Sequence, residues 1–366
     1  MGKGKERENM KNLTRRGFIG VGATAAMAAA LVGCSSGGSS SAASSAASSA
    51  SASASSAAAS SAAASSSAAA AGGASLRFVT GGETGTYYAL GTIMAQNAGA
   101  KAGLDITAVS SGGSQANVLE LEDKTAQLGF CQSDVEAYAF DGKNIFEGAP
   151  VSVFSTVACL YEEQVQIVTC DPNIKSVADL KGKNVSIGAA GSGVYFNAID
   201  ILGVYGITEQ DISPTYQSFG DSAESLKDGK IDAAFVVAGA PTTAITDLST
   251  TKQAYLVALD AEHIAELVKV SPYYNQATIK AGTYTGIDED VATLSVGAVV
   301  IAADSCSEDD IYAFTASIFD NLDELKASNA KFEEFNVEKG ASITAVPYHP
   351  GAAKYFKEKG IEVATK

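Results

Sequence analysis

The chain has 366 residues, is 46% hydrophobic and 18% charged, and carries 25 Lys and Arg against 41 Asp and Glu, a formal charge of −16. Residues 1–33 hold six of the basic and two of the acidic residues, so the rest of the chain stands at −20. That field, with no basic patch interleaved with aromatics, excludes nucleic acid and anionic lipid surfaces as partners. A small anionic ligand stays open, because a local site can oppose the global field. No segment after residue 33 has the roughly 18 consecutive apolar residues of a membrane-spanning helix.

Residues 1–33 read as a signal peptide. A basic stretch ends in Thr14-Arg15-Arg16-Gly17-Phe18-Ile19, close to a twin-arginine pattern and favouring that export route over the general secretory one. An apolar region from about Phe18 to Val32 follows, then Leu31-Val32-Gly33-Cys34, which resembles a lipobox. Cleavage before Cys34 would leave its thiol to carry diacylglycerol. Residues 34–75 form a tether: every residue from Ser35 to Ser75 is Ser, Ala or Gly. Such a run cannot bury a core. As a flexible chain of that length it would span on the order of 35 Å, and its use is clear if Cys34 is anchored.

From Leu76 onward β-rich runs alternate with helix-length stretches. Strands are expected at Leu76–Thr80, Asp105–Val109, Leu128–Cys131, Val151–Leu160, Val165–Thr169, Val185–Gly188, Ser213–Gln217, Ala233–Val237, Gln253–Ala258 and Ser295–Ala302. Helices are expected at Tyr87–Ala98, Ser114–Asp123, Gly193–Tyr205 and Ser222–Asp228, with later ones at Glu308–Ser328 and Tyr355–Gly360. Alternation of this kind implies an α/β architecture with parallel strands. Val151–Leu160 and Val165–Thr169 read as a crossover between two lobes. The return crossing is expected near Glu262–Pro272 or later, near Tyr284–Ser295. The resulting division is 76–164 with 268–366 for lobe I and 165–267 for lobe II.

Five strand-to-helix junctions share a composition. They are Gly81-Gly82-Glu83-Thr84-Gly85-Thr86, Ser110-Ser111-Gly112-Gly113-Ser114, Gln132-Ser133-Asp134, Ala189-Ala190-Gly191-Ser192-Gly193 and Ala238-Gly239-Ala240-Pro241-Thr242-Thr243. In open parallel sheets such loops lie at the carboxyl edge, where ligands bind. Glycine admits close approach of backbone to a ligand, and Ser and Thr both cap helices and offer hydroxyls. One such loop is ordinary capping, whereas five on one type of edge suggest a binding surface.

Enzyme chemistry finds little support. The chain has two histidines: His263 lies in a helix-like stretch that reads as solvated surface, and His349 sits in a Pro-Tyr-His-Pro-Gly turn where it could cap a helix or line a cleft. There is no HExxH pattern, no metal-type Cys spacing, no Walker lysine after Gly188–Gly193 and no GxSxG elbow. Cofactors and metals are therefore not expected. Cys131, Cys159, Cys170 and Cys306 read as buried apolar side chains, with a Cys159–Cys170 bridge as the alternative. Glu162-Glu163, Glu289-Asp290 and Asp309-Asp310 read as solvated faces. Tyr87 and Tyr88 open the first helix, and one of the rings could close over a ligand. Arg77, the one arginine after the N-terminal segment, opens the first strand. An anion would accordingly rely on backbone N–H groups and hydroxyls.

At these residues the sequence resembles the TAXI group of solute receptors, the extracytoplasmic subunits of one branch of the TRAP transporters. The resemblance runs from about Leu76 to the C-terminus and rests on an ordered set of motifs. These are Gly81–Tyr88, Ser110–Ser114 with Asn117, Gln132-Ser133-Asp134, Gly188–Gly193 with Asn197, Gly239-Ala240-Pro241, Ala281–Tyr284 and Pro347–Ala352. It implies an α/β two-lobe periplasmic-binding-protein fold, type II-like, with ligand held in the cleft between lobes. It also implies an ion-driven TRAP permease as membrane partner, fused into one subunit, and a small organic anion, glutamate-like or a dicarboxylate, as ligand. Carried onto this chain, ligand contacts would come from Thr84, Gly85, Tyr88, Ser111, Ser114, Asn117 and Gln132 in lobe I, and from Ser192, Gly193, Asn197 and Pro241 in lobe II. Two other receptor roles compete: a lipoprotein reporting ligand to a membrane kinase, and the binding subunit of an ATP-driven importer.

Overall fold

A computed structural model describes residues 75–366. The signal segment, Cys34 and all but the last residue of the tether lie outside the described residues.

Lobe I contains β1 (Leu76–Val79), β2 (Ile106–Val109), β3 (Leu128–Gln132), part of β4 (Phe154–Thr169) and part of β10 (Val291–Ala303), in the order β2-β1-β3-β10-β4. Its first three strands are followed by α1 (Thr86–Ala102), α2 (Ser114–Glu122) and α3 (Ser133–Asp141). Lobe II repeats the plan with β5 (Asn184–Ser186), β6 (Ser213–Thr215), β7 (Ala233–Ala238), the far end of β4 and β8 (Tyr255–Val257). Here the order is β6-β5-β7-β4-β8, and the helices are α4 (Val194–Val204), α5 (Phe219–Lys227) and α6 (Thr243–Thr251). In each lobe the first strand lies between the second and third in parallel, and the next strand runs antiparallel. This is the expected two-lobe type II arrangement.

The lobes are joined by β4 and β10, which pair antiparallel from Phe154 to Gln164 and then diverge, β4 pairing onward with β7. The expected break between two strands at Tyr161–Gln164 is absent. Those residues hold strand geometry because each pairs with β10, Tyr161 opposite Ala298 and Glu163 opposite Val296. A further strand, β9 (Asn275–Ile279), pairs with the start of β10 and was not anticipated, because its mixed polar sequence has no alternating apolar face. Ile279, Tyr284 and Ile287 share an apolar cluster with Val168, Leu226 and Leu248 of lobe II.

Each sheet is covered on both faces. Phe78, Phe130, Leu160 and Val300 pack under the C-terminal helices α8 (Glu308–Phe319), α9 (Leu322–Ser328) and α11 (Pro350–Glu358), while Val79, Cys131, Val299 and Ile301 face α2 and α3. In lobe II, Val165 and Ile167 pack on one face and Val168 on the other, the period of two that a doubly covered strand requires. The helix expected over Glu308–Ser328 is interrupted at Asp320-Asn321, where the first segment ends. Helix α11 starts earlier than expected, at Pro350, because His349 caps it: the buried imidazole Nδ1 accepts from Gly351 N at 3.2 Å. His349 is thus a capping residue. His263, in α7 (Ala261–Val270), stacks on Tyr205 with centroids 3.6 Å apart.

Cys131, Cys159, Cys170 and Cys306 are free thiols, the first two buried and the others half-buried. Cys159 and Cys170 lie along and just past β4, roughly 35 Å apart at the rise of a strand, far beyond disulfide reach. Among the described residues no helix is long and apolar enough to cross a membrane.

Candidate ligand cleft

The strand tips of the two lobes face one another across a cleft at the β4–β10 junction. Lobe I contributes Gly81, Gly82, Gly85, Thr86 and Tyr87 after β1, Ser111–Ser114 after β2, Gln132 at the end of β3, and Glu163 from β4. Lobe II contributes Ala189 and Ser192–Val194 after β5, Ser218 and Phe219 after β6, and Val237 and Ala238 of β7. The cleft takes in about 580 Å³ including its open mouth, within the range of small-metabolite sites.

The lobes are closed on one another. Ala116 N donates to Gly191 O at 2.9 Å, and Ala244 N to Thr84 O at 3.3 Å. Thr86 Oγ1 donates to Gly239 O at 3.0 Å. From the C-terminal segment, Lys331 Nζ donates to Ala240 O at 2.7 Å. Behind the cleft, Gln132 Nε2 donates to Asn197 Oδ1 at 2.9 Å, and Asn197 Nδ2 donates to Asp134 Oδ2 at 2.9 Å and to the Tyr274 hydroxyl at 3.0 Å. At Gly193 the lobes are in tight contact: a Cβ there would sit 1.4 Å from Gln132 Oε1.

Four helices begin at the cleft without a side-chain cap: α1 after Gly85, α2 after Gly113, α3 after Gln132 and α4 after Gly193. Their first-turn N–H groups lack intrahelical partners and carry the positive end of the helix dipole. This rim suits an anionic group. Gly113, at φ 102°, turns the chain tightly into α2.

The floor has the opposite character. Gln132, Glu163 and Tyr87 meet on one face of the lobe I sheet. Gln132 and Tyr161 lie on either side of Ala298, and Glu163 is two residues beyond Tyr161 on the same face. Tyr87 stacks on Phe130 of β3 with centroids 4.5 Å apart. Gln132 Oε1, Tyr87 OH, Tyr161 OH and Ser192 Oγ are buried without a hydrogen-bond partner in the protein. The Tyr87 and Tyr161 hydroxyls lie beside the Glu163 carboxyl. Burial, with further pressure from Asp134 and Glu162, pushes that carboxyl well above its ordinary range. Burial pushes Asp134 up to about 7, against hydrogen bonds from Asn197 and Val135 that pull it down. Glu136 is also raised by burial. No Lys, Arg or His is among the residues lining the cleft. Arg77 is occupied with Glu120.

Of the expected site residues, Gly85, Ser111, Ser114, Gln132, Ser192 and Gly193 line this cleft. The other five do not. Asn117 is fully buried, and its Nδ2 donates to Thr80 O at 2.8 Å and Phe130 O at 2.7 Å, tying β1 to β3. Asn197 is the buried interlobe link described above. Thr84 meets lobe II through its carbonyl, outside the lining. Tyr88 is not among the lining residues, whereas Tyr87 is. Pro241 is exposed, after a cis peptide bond with Ala240. Glu163, expected on a solvated face with Glu162, is 1% exposed and lines the cleft, whereas Glu162 pairs with Lys339 at 2.8 Å. Tyr284 is buried away from the lining; its hydroxyl accepts from Thr242 N at 2.8 Å, at the start of α6. Among the described residues there is no cluster of His, Cys, Asp or Glu arranged to hold a metal.

A family model described as the NMT1-like family matches residues 78–360. Solved structures with similar chains include the alkanesulfonate-binding protein SsuA from Xanthomonas axonopodis pv. citri bound to MOPS. It is 14% identical, the match covers 77% of this chain and 83% of that one, and the TM-score is 0.45. The periplasmic aliphatic sulphonate binding protein SsuA from Escherichia coli matches at 16% identity over 77% of this chain and 78% of that one, with a TM-score of 0.42. The GluR0 ligand-binding core from Nostoc punctiforme, in complex with L-glutamate, matches at 13% identity over 71% and 98%, with a TM-score of 0.44.

Proposed function

The chain belongs to the NMT1-like family, and on that premise we propose that it is an extracytoplasmic solute receptor that delivers a small organic acid to a membrane transporter. The observation that carries this reading is the cleft itself. Loops from both lobes meet there around polar atoms that are buried and lack protein partners, Gln132 Oε1, Tyr87 OH and Ser192 Oγ. A buried polar atom left unpaired costs roughly 1–3 kcal/mol, and a ligand's polar groups would recover that cost. The β4–β10 pair is the one two-stranded connection between the lobes described above, so it suits a hinge. Ligand bridging the lobes would favour the closed form by its differential affinity.

The finer reading is a TAXI-type receptor of a TRAP transporter, taking a glutamate-like acid or a dicarboxylate and tethered to the membrane through a lipid on Cys34. The ordered motifs from Gly81 to Ala352 support it, as does the lipobox followed by a featureless tether. Within this reading the acid group sits at the helix starts after Gly85, Gly113 and Gly193.

Native mass spectrometry of the purified full chain, followed by a thermal-shift screen of organic acids and amino acids, tests the receptor role. A bound small molecule is the expected result. A chain with no co-purified species and no shift with any compound would remove the reading. For the anchor, Cys34→Ser is expected to move the protein from the membrane fraction to the soluble one.

A further inference from the structure

We propose that closure of the lobes takes up a proton at Asp134, so that the receptor holds its solute more tightly in mild acid than in alkali. This rests on the receptor reading and adds a pH response to it, whatever the solute.

The device is a pair of carboxyls brought together across the interface. Asp134 stands in the first turn of α3 in lobe I, and Asp200 stands on α4 in lobe II. In the closed form Asn197 Nδ2 donates to Asp134 Oδ2 at 2.9 Å and to the Tyr274 hydroxyl at 3.0 Å, and that hydroxyl donates to Asp200 Oδ2 at 2.8 Å. The two acids thus end one chain of hydrogen bonds that closure assembles. Helix α4 also covers Asp134. Phe196 shares an apolar cluster with Val118, Val135 and Tyr138 of lobe I, its ring 6.2 Å from that of Tyr138. Asp134 is left fully buried.

The titratable groups facing Asp134 are Glu136 and Tyr138 on its own helix, Cys131 on β3, Glu163 on β4, Asp200 on α4, and Tyr273 and Tyr274 before β9. None of them is a cation. Burial pushes the carboxyl up to about 7 in the closed form, opposed by the donors Asn197 and Val135 and helped by Asp200. Parting the lobes removes both the cover and Asp200. The lost Asn197 donor acts the other way, but it is a weaker influence than burial. In the open form the carboxyl therefore returns toward its ordinary 3.8. Protonation leaves the link intact, because each oxygen keeps a lone pair, one for Asn197 and one for the Val135 N–H at 2.9 Å.

The closed form binds this proton more strongly than the open one. Its advantage is complete in acid, is lost as pH rises through 7, and is gone above that. Glu136 has no part in this linkage, since it is buried against Thr156 within lobe I and keeps that partner when the lobes separate.

The test is titration calorimetry of the full chain with the co-purified solute, or with L-glutamate, glutarate and succinate where the chain carries none. It is run at pH 6, 7 and 8 in buffers of unlike ionisation enthalpy, which counts the protons exchanged. Binding is expected to take up about one proton at pH 6 and about a tenth of one at pH 8, and to weaken about 10-fold between the two. Asp134→Asn, close in shape to the protonated group, is expected to bind without proton uptake and with an affinity level across this range. Glu163→Gln, whatever its affinity, is expected to keep the proton uptake of the parent. Uptake that is absent from the parent, survives Asp134→Asn or vanishes with Glu163→Gln would overturn the proposal and leave the receptor reading intact. No co-purified solute and no heat with any of the three acids would overturn both. Should one variant fail to fold, the parent and the other variant decide.

Discussion

Lobe I and lobe II bring strand-tip loops of the same kind to the cleft, on sheets of the same strand order, but they equip them differently. From lobe I come Gln132 and Glu163, side chains fixed on strands, and behind them lie the buried acids Asp134 and Glu136. From lobe II come a Ser-Gly turn, Ser218, the ring of Phe219 and the small residues Val237 and Ala238, without a charged group. The C-terminal helices pack on lobe I, which gives its site residues the firmer support. Within the proposed function, lobe I reads the ligand and lobe II closes over it.

Gly193 offers the sharpest way to break this division. Its backbone, at φ −70° and ψ −22°, is open to any residue, so alanine would not strain lobe II. The added Cβ would nonetheless lie 1.4 Å from Gln132 Oε1 in the closed form. Gly193→Ala is expected to lower ligand affinity at least 100-fold, about 2.7 kcal/mol, with a thermal midpoint close to that of the parent. Calorimetry and a melting curve on the same preparation check both halves. Preserved affinity would mean that ligand binding does not need the closed contact.

Asn197→Ala comes next. It leaves Gln132 Nε2 and the Asp134 carboxyl without their interlobe partner, a loss of roughly 1–3 kcal/mol. Affinity should fall 10- to 100-fold. Calorimetry with the co-purified solute checks the fall. Unchanged affinity would separate the interlobe link from ligand binding. Ser192→Ala is expected to be milder, at about 10-fold, because only one hydroxyl is removed and the Gly193 backbone keeps its place.

The loops of both lobes were legible in the sequence because glycine and hydroxyl residues at strand ends have few uses apart from tight turns, capping and close approach. Glu163 was not. Beside Glu162 it reads as part of a solvated pair, and only its neighbours on β10, more than 130 positions away in sequence, determine which way it faces. Tyr87 and Tyr88 differ by about 100° around α1, and the choice between them depends on where α1 sits over Phe130, a tertiary fact. Asn117 and Asn197 stand in the right motifs but serve the scaffold, because a buried amide with two donors and an acceptor can tie strands or lobes together as readily as it can meet a ligand. The break expected in β4 failed for a related reason: local polarity marks a turn only where no partner strand satisfies the backbone.

The smallest expected effect concerns stability, and it tests the claim that buried acidity belongs to lobe I. Glu136 is fully buried, Thr156 Oγ1 donates to its Oε2 at 3.4 Å, and its Oε1 has no partner. Burial raises its folded-state value well above the ordinary 4.5. As pH climbs past about 4.5 the unfolded chain loses this proton while the folded chain keeps it, so the folded state binds more protons and stability falls with rising pH. Below that pH the group makes no difference. Glu136→Gln removes the titration while keeping an acceptor for Thr156. Its melting temperature should match the parent near pH 4 and exceed it by a growing margin toward pH 8, by a few degrees for about 1 kcal/mol. A lobe II control such as Asp228→Asn, at a fully exposed carboxylate held below its ordinary range by Lys230, has no such gain to offer and should lose slightly if it moves at all. A rising curve for both variants, or for neither, would mean that the acids behind Gln132 do not set the pH response of this fold.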